Sequence, residues 1–335
     1  MHHQLANKSI LITGCNGFLG KQLLKQLVDE LDDLSSQGLS HSHSIVAIDN
    51  CITSGKMVNA FPEYVKVFEE NALTFDYSCL KTVDIVFHLA GLASPAQYKR
   101  YPLETIDVAV VLTRSLLELS LRCKSRFIYF SSSEIYGNPD ISSIPTPESY
   151  KGFVSCIGPR SCYDESKRLG ETLCHVYSSD YGVDTVTIRP FNVYGPGMSQ
   201  YDYRMIPNLL RSIIKKEVLQ IYGKGNQTRT FCYLDDAING IMLAALKGKF
   251  GSVYNIGNMS PEISMIGLVE AAEEALQMDI PYELVAYPDT YPGDEPMRRC
   301  PDLSKASSEL GYAPLITLKD GLIKSYKWAL DAYKQ

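Results

Sequence analysis

A β-branched run followed at once by three glycines constrains this chain most. Ser9-Ile10-Leu11-Ile12-Thr13, entered from Lys8, carries no charge and reads as a buried strand. Gly14-Cys15-Asn16-Gly17-Phe18-Leu19-Gly20 follows directly, and an amphipathic pattern then runs to about Leu34. A strand, a glycine turn and a helix in this order open a doubly wound parallel sheet. Gly14 permits the tight turn. Gly17 lets the backbone approach a pyrophosphate seated on the helix N-terminus, and Gly20 lets the helix pack close to the strand. The spacing is GxxGxxG, one residue longer than the commonest dinucleotide fingerprint, GxGxxG.

The following elements fit the same sheet. Ser35 to Ser44 is a polar loop whose His41 and His43 read as solvated rather than as metal ligands. Ser44 to Ile48 is a second strand ending in Asp49. A carboxylate there bonds ribose hydroxyls and repels a 2′-phosphate, which favours NAD over NADP. The loop explains why Asp49 stands further from the glycines than the usual ~20 residues. Val65 to Glu69 and Val83 to His88 read as further strands, and Leu89-Ala90-Gly91 suits backbone pressed against a cofactor. Arg126 to Ser131 is a fifth strand, ending in Ser131-Ser132-Ser133-Glu134; Thr185 to Ile188 is a sixth. The expected fold is α/β, a Rossmann-type doubly wound parallel sheet with a smaller C-terminal substrate-binding region. Residues 1–190 are expected to form the dinucleotide-binding domain. Residues 191–335 are expected to form mainly the substrate region, with late segments passing between both lobes.

Tyr163-Asp164-Glu165-Ser166-Lys167 sits in a helix read from about Ser161 to Tyr181. Residues four apart share a helix face, so the Tyr163 hydroxyl and the Lys167 ammonium can enter one cleft. A cation beside a phenol favours the phenolate and lowers its pKa from about 10. That makes a base for a sugar or alcohol hydroxyl. A solvated Tyr and Lys on a surface helix is the competing reading; the glycine turn and the serine-rich strand end weigh against it. A hydroxyl from Ser132 could bond the phenol or the reacting oxygen, and Glu134 reads as a catalytic carboxylate.

Composition excludes several classes. The chain has 335 residues, 45% apolar, with net charge −6. That length supports one large or two joined α/β domains with ample core. Mild acidity and the lack of a long Lys/Arg run argue against a nucleic-acid surface. No stretch approaches the roughly eighteen apolar residues of a membrane span, and Met1-His2-His3-Gln4 is not expected to begin a secretory leader. The nine cysteines are scattered, without a CxxC pair, so neither a metal site nor a disulfide framework is expected. Reduced, cytoplasmic thiols are the expectation.

Beyond residue 190 the pattern shortens. Tyr203 to Lys216 reads as a helix, and Gly223 to Phe231 as a polar loop whose cations could hold a diphosphate. Asp235 is expected to cap a helix to about Leu246, and Pro292 to Pro301 reads as a connector carrying Arg298 and Arg299.

These motifs resemble the extended short-chain dehydrogenase/reductase family along nearly the whole chain. They are GCNGFLG, HLAG at 88–91, SSSEIYG at 131–137, YDESK at 163–167, RPFNVYGP at 189–196 and QTRTF at 227–231. Within it the likeness is to UDP-glucuronate decarboxylases, through Gly158-Pro159-Arg160-Ser161-Cys162-Tyr163-Asp164-Glu165, the Ser94-Pro95…Tyr98 loop, Ser132-Ser133-Glu134 and Arg299-Cys300-Pro301-Asp302. Two segments depart from the decarboxylase pattern. Gly197 stands where those enzymes carry a second arginine, and their NDGR is Tyr201-Asp202-Tyr203-Arg204 here.

The resemblance implies tightly held NAD, a UDP-sugar substrate and a homodimer built on the Tyr/Lys helix and the helix before it. The apolar stretch Val108 to Leu121 and the face from Leu169 to Val176 would allow that pairing. It implies cofactor contacts from Gly14, Asn16, Gly17, Phe18, Leu19, Gly20, Asp49, Leu89, Ala90, Gly91, Tyr163, Lys167 and Pro190. Catalytic work falls to Tyr163, Lys167, Ser132, Ser133, Glu134 and Arg299. Substrate contacts fall to Ser94, Pro95, Tyr98, Arg160, Asn192, Arg204, Arg229 and Arg299. The implied reaction is decarboxylation of UDP-glucuronate through a 4-keto sugar to UDP-xylose or a UDP-4-keto-pentose. A UDP-sugar or UDP-uronate 4-epimerase is the alternative, against which Glu134 counts. A 4,6-dehydratase would carry Asp where Ser133 stands, and a non-catalytic NAD sensor would not need the Ser132, Tyr163 and Lys167 set.

Overall fold

Alternate residues of the first strand feed two different cores. In the computed structural model, which describes residues 2–39, 42–57, 61–287 and 296–334, β1 spans Ser9–Thr13. Ile10 and Ile12 point into one apolar cluster and Leu11 into another. This is the two-fold alternation of a strand buried on both faces. β2 (Ser44–Ile48), β3 (Val65–Phe68), β4 (Ile85–His88), β5 (Arg126–Phe130) and β6 (Thr185–Pro190) join β1 in one sheet, completed by Ser252–Ile256. The order is β3-β2-β1-β4-β5-β6 and then Ser252–Ile256, every pairing parallel. The expected doubly wound parallel sheet is present.

Helix α1 (Phe18–Ser36) and the later helices Leu234–Lys247 and Ser304–Leu310 cover one face. α4 (Thr113–Cys123) and α5 (Ser161–Tyr181) cover the other. α2 (Pro95–Arg100) and α3 (Pro102–Asp107) precede α4, and a π-helical turn at Val108–Leu112 joins α3 to it. A separate apolar core gathers the helices Met205–Lys215, Met265–Leu276 and Leu318–Ala332 with the parallel pair Leu219–Tyr222 and Tyr282–Val285.

The α5 boundaries match the sequence reading. Asp235 does not cap its helix: the cap position is Tyr233, and Asp235 lies in the first turn. The buried carboxylate there is Asp236, which accepts from the Leu315 and Ile316 amides. Ser252–Ile256, not recognised as a strand from sequence, pairs with β6 far away in the chain. His41 and the start of the expected connector, Pro292 to Glu295, lie outside the described residues.

Candidate active site

The sheet order reverses between β1 and β4, and a crevice opens there at the strand ends. Gly14 has φ +76°, and a Cβ on it would sit 2.5 Å from the Ala90 amide nitrogen. A Cβ on Gly20 would meet the Gly14 carbonyl at 2.0 Å, so neither position accepts a larger residue. The cap position of α1 is Gly17, which supplies no side-chain cap, and its first turn holds no acid. Its first N–H groups are therefore left to serve an anion. An uncapped helix start behind a glycine turn fits a dinucleotide pyrophosphate.

A cleft of ≈ 340 Å³ runs from this turn to Arg204, Ile206 and Tyr222. Gly14, Gly17, Phe18, Leu19, Gly20, Leu89, Gly91 and Pro190 line it, together with Tyr163 and Lys167. Asn16, Asp49 and Ala90 do not. Asp49 accepts from the Asn16 amide at 2.9 Å and the Cys51 amide at 2.8 Å, and the Asn16 side chain donates to Gly55 O at 2.6 Å. The pair ties the loop after β2 to the glycine turn, and each Asp49 oxygen keeps a further lone pair.

Tyr163 and Lys167 both enter the cleft, as their i, i+4 spacing requires, and both are buried. Lys167 Nζ donates to Phe130 O at 2.7 Å and lies 6.0 Å from the Tyr163 ring centre and 5.2 Å from that of Tyr129. Burial lowers the Lys167 pKa to about 8. Burial also raises Tyr163 to about 12, against the hydrogen bond from Ser132. The expected lowering of the phenol is thus outweighed by desolvation in this structure. Behind them His88 is buried between Thr13 Oγ1 (2.8 Å from Nδ1) and Thr113 Oγ1 (3.0 Å from Nε2). Burial, then the Lys167 charge, lowers its pKa to about 3 and keeps it neutral.

Ser132 caps the turn Ser133–Tyr136, accepting from the Glu134 amide at 3.2 Å. This turn aims Glu134 back into the cleft, where Arg160 and Arg299 both donate to its Oε2, the latter at 3.1 Å. Arg299 is 2% exposed and also donates to the Ser133 and Gly137 carbonyls. Burial disfavours the Glu134 charge, but Arg299, Arg160 and Arg229 outweigh it and hold the carboxyl at about 2. Arg299 is paired in register with Arg229; Arg229 lines the cleft, whereas Arg299 does not and meets it through Glu134.

Most of the remaining substrate expectations converge here. Pro95, Tyr98, Arg160, Asn192, Arg204 and Arg229 line the cleft; Ser94 does not, and serves as the residue before α2. Tyr98 stacks on Tyr163. Asn192 has φ +40° and donates to Thr230 O at 2.9 Å. Arg204 forms an ion pair with Asp202 at 2.6 Å. Sequence reasoning missed the far end of the cleft, where Gln227 donates to Tyr222 O at 3.3 Å beside Tyr287. Gln227 lies inside the QTRTF motif, but Tyr222 and Tyr287 carry no local signal.

A phenol and a lysine one turn apart on α5, with a serine just beyond the end of β5, face the glycine-turn crevice and define a dinucleotide-dependent site for alcohol oxidation. The chain belongs to the NAD dependent epimerase/dehydratase family, which its residues 10–257 match. UDP-glucuronic acid decarboxylase 5 of Arabidopsis thaliana is 35% identical over 319 residues, 95% of this chain and 88% of that protein. UDP-glucuronic acid decarboxylase 1 of Xenopus tropicalis is 33% identical over 322 residues, 95% of this chain and 71% of that protein. The solved UDP-glucuronic acid 4-epimerase of Bacillus cereus, in complex with UDP-glucuronic acid and NAD, matches with a TM-score of 0.79. It is 27% identical, over 97% of this chain and all of that one.

Proposed function

We propose that this protein is an NAD-dependent nucleotide-sugar enzyme that decarboxylates UDP-glucuronate to UDP-xylose or a UDP-4-keto-pentose. The observation that carries the reading is Glu134 held between Arg160 and Arg299 on the cleft wall beside Tyr163 and Ser132. The kinship with two UDP-glucuronic acid decarboxylases supports it.

NAD, when bound, would accept the hydride of the sugar C4, and its reduced form would return it where the product is UDP-xylose but not where it is the 4-keto-pentose. Gly14, Gly17 and the start of α1 hold its pyrophosphate, and Asp49 favours an unphosphorylated ribose. Tyr163 removes the proton of the C4 hydroxyl, Lys167 steadies the phenolate, and Ser132 binds the same oxygen. Loss of that proton to Tyr163 and of the C4 hydride to the nicotinamide would leave a ketone β to the C6 carboxylate. Loss of CO2 from that arrangement leaves an enolate rather than a bare carbanion. Glu134 and Arg299 position the ring and its carboxylate and assist return of a proton to C5. Arg229 and Arg204 hold the diphosphate, Asn192 the sugar or its phosphate, and Tyr98 with Pro95 the ring face.

Incubation with UDP-glucuronate and NAD, read by mass spectrometry, tests this. A product lighter by CO2 is expected, and its mass distinguishes a pentose from a keto-pentose. An isomer of unchanged mass would mean 4-epimerisation, the reading favoured by the Arg189-Pro190-Phe191-Asn192 segment. No change in either respect would overturn both.

A homodimer is the proposed assembly. Leu103, Val111 and Leu169 are 71%, 53% and 47% exposed on the α3–α5 side, a surface suited to a second copy. Sedimentation at the mass of one chain would overturn it. Nine free thiols support a reducing compartment, the cytoplasm; localisation of a tagged chain checks this.

A further inference from the structure

Asp164 follows Tyr163 on α5 and is buried, yet it is not on the cleft wall. Its Oδ2 lies 3.5 Å from Arg160 Nε, one turn earlier. The same guanidinium donates through its Nη2 to Glu134. Arg160 therefore stands between two carboxylates. Asp164 Oδ1 is buried without a hydrogen-bond partner among the described residues. A buried carboxylate left half-satisfied destabilises a fold, so stability does not account for this residue.

The charged and titratable groups facing Asp164 come from several elements. They are Glu134 from the turn after β5, Arg299 from its strand, Tyr98 from α2, and Arg160, Cys162 and Tyr163 from the start of α5. Burial, then the Glu134 charge, raises the Asp164 carboxyl to about 7, whereas Glu134 stays at about 2. Two carboxyl groups on one guanidinium whose affinities for a proton are driven apart mark a pair shaped for chemistry.

We propose that Asp164 is a positioning residue that shares the Arg160 guanidinium with Glu134 and so sets how firmly the Glu134 carboxylate is held at the cleft. The inference rests on the decarboxylase reading. Ionised Asp164 draws Arg160 Nε toward α5. Protonated Asp164 releases that pull, so more of the Arg160 charge faces Glu134. Turnover then follows the charge on Asp164, although Asp164 is set back from the substrate.

The test compares wild type, Asp164→Asn and Asp164→Glu as holoenzymes with NAD and UDP-glucuronate. Asp164→Asn keeps the shape and removes the charge. Its kcat is expected to fall about tenfold while KM stays within about threefold. The neutral-range inflection of the kcat pH profile is expected to vanish, and Asp164→Glu to restore it. Thermal unfolding supplies a reading that needs no substrate. Folded Asp164 holds its proton more tightly than the unfolded chain does. Its contribution to stability is therefore present at low pH and lost as pH rises through about 7. The Tm of Asp164→Asn should exceed that of wild type by a margin that widens across that range.

An unchanged kcat and inflection in Asp164→Asn overturns the proposal. So does a lowered Tm with kcat per folded molecule intact, since that is a purely structural role. If wild type releases no CO2 from UDP-glucuronate, the decarboxylase reading falls instead. The comparison then passes to the nucleotide sugar that wild type does oxidise, read as NADH absorbance. Equal rates and equal pH profiles there overturn the positioning role as well.

Discussion

The Tyr98 ring lies stacked on Tyr163, with centroids 5.3 Å apart and planes 16° from parallel. Tyr98 is 2% exposed and its hydroxyl has no hydrogen-bond partner among the described residues. The ring is therefore the wall that keeps the phenol of Tyr163 in place. Tyr98→Ala is expected to lose about 3–5 kcal/mol in urea unfolding and to reduce kcat. Tyr98→Phe keeps the ring and should change stability by no more than about 1 kcal/mol. Equal losses in the two variants would sink this account of the stack.

Lys167 trades stability for chemistry. It is buried, and its pKa is lowered to about 8 because the charged form is desolvated. The unfolded chain binds this proton more tightly than the folded one, so Lys167 destabilises the fold at neutral pH. That penalty is relieved as pH rises from about 8 toward the ordinary lysine value of 10.5. Lys167→Met should match or exceed wild type in Tm at neutral pH, with a margin that narrows in alkali. Its kcat should fall about 10²–10⁴-fold. Calorimetry at two pH values, beside a turnover assay, decides it; a Tm margin that grows with pH would contradict the assignment.

Glu134→Gln separates two halves of the proposed reaction. It leaves Arg160 and Arg299 facing an amide, and a quarter of the side chain is solvent-accessible (27%). The stability loss should therefore fall below the roughly 3–5 kcal/mol of a fully buried broken pair. C4 oxidation, read as NADH absorbance, is expected to survive, while CO2 release is lost. Parallel loss of both signals would show that Glu134 serves binding rather than the later step.

The rear of the site rests on Arg189. It pairs with both Glu171 oxygens at 2.9 and 2.6 Å and donates to Tyr136 Oη at 2.6 Å. Tyr136 donates on to Asn255 Oδ1 at 2.8 Å, which links the Glu134 turn to Ser252–Ile256. Tyr136→Phe strands both neighbours and is expected to cost about 1–3 kcal/mol in chemical denaturation. A value near zero would mean that the neighbours repair the gap.

The legible parts of this protein were those with short-range causes. β1, the glycine turn and the start of α1 are contiguous, and α5 was placed from Ser161 to Tyr181 because its pattern repeats each turn. Ser252–Ile256 was illegible because a short strand gains its identity from pairing with β6, about sixty residues earlier. Asp235 was misread as a cap because an acid near a helix start looks alike at the cap and in the first turn.

The sequence by itself determined the order of strand, turn and helix, the shared face of Tyr163 and Lys167, and the glycines that no other residue can replace. These follow from sterics and periodicity between near neighbours. Only the tertiary structure decided which carboxylate meets which arginine. Arg299 reaches Glu134 across 165 residues, and Arg160 is divided between Glu134 and Asp164. It also decided that Tyr163 is raised and Lys167 lowered, because desolvation and electric fields sum over every group that packs around a site.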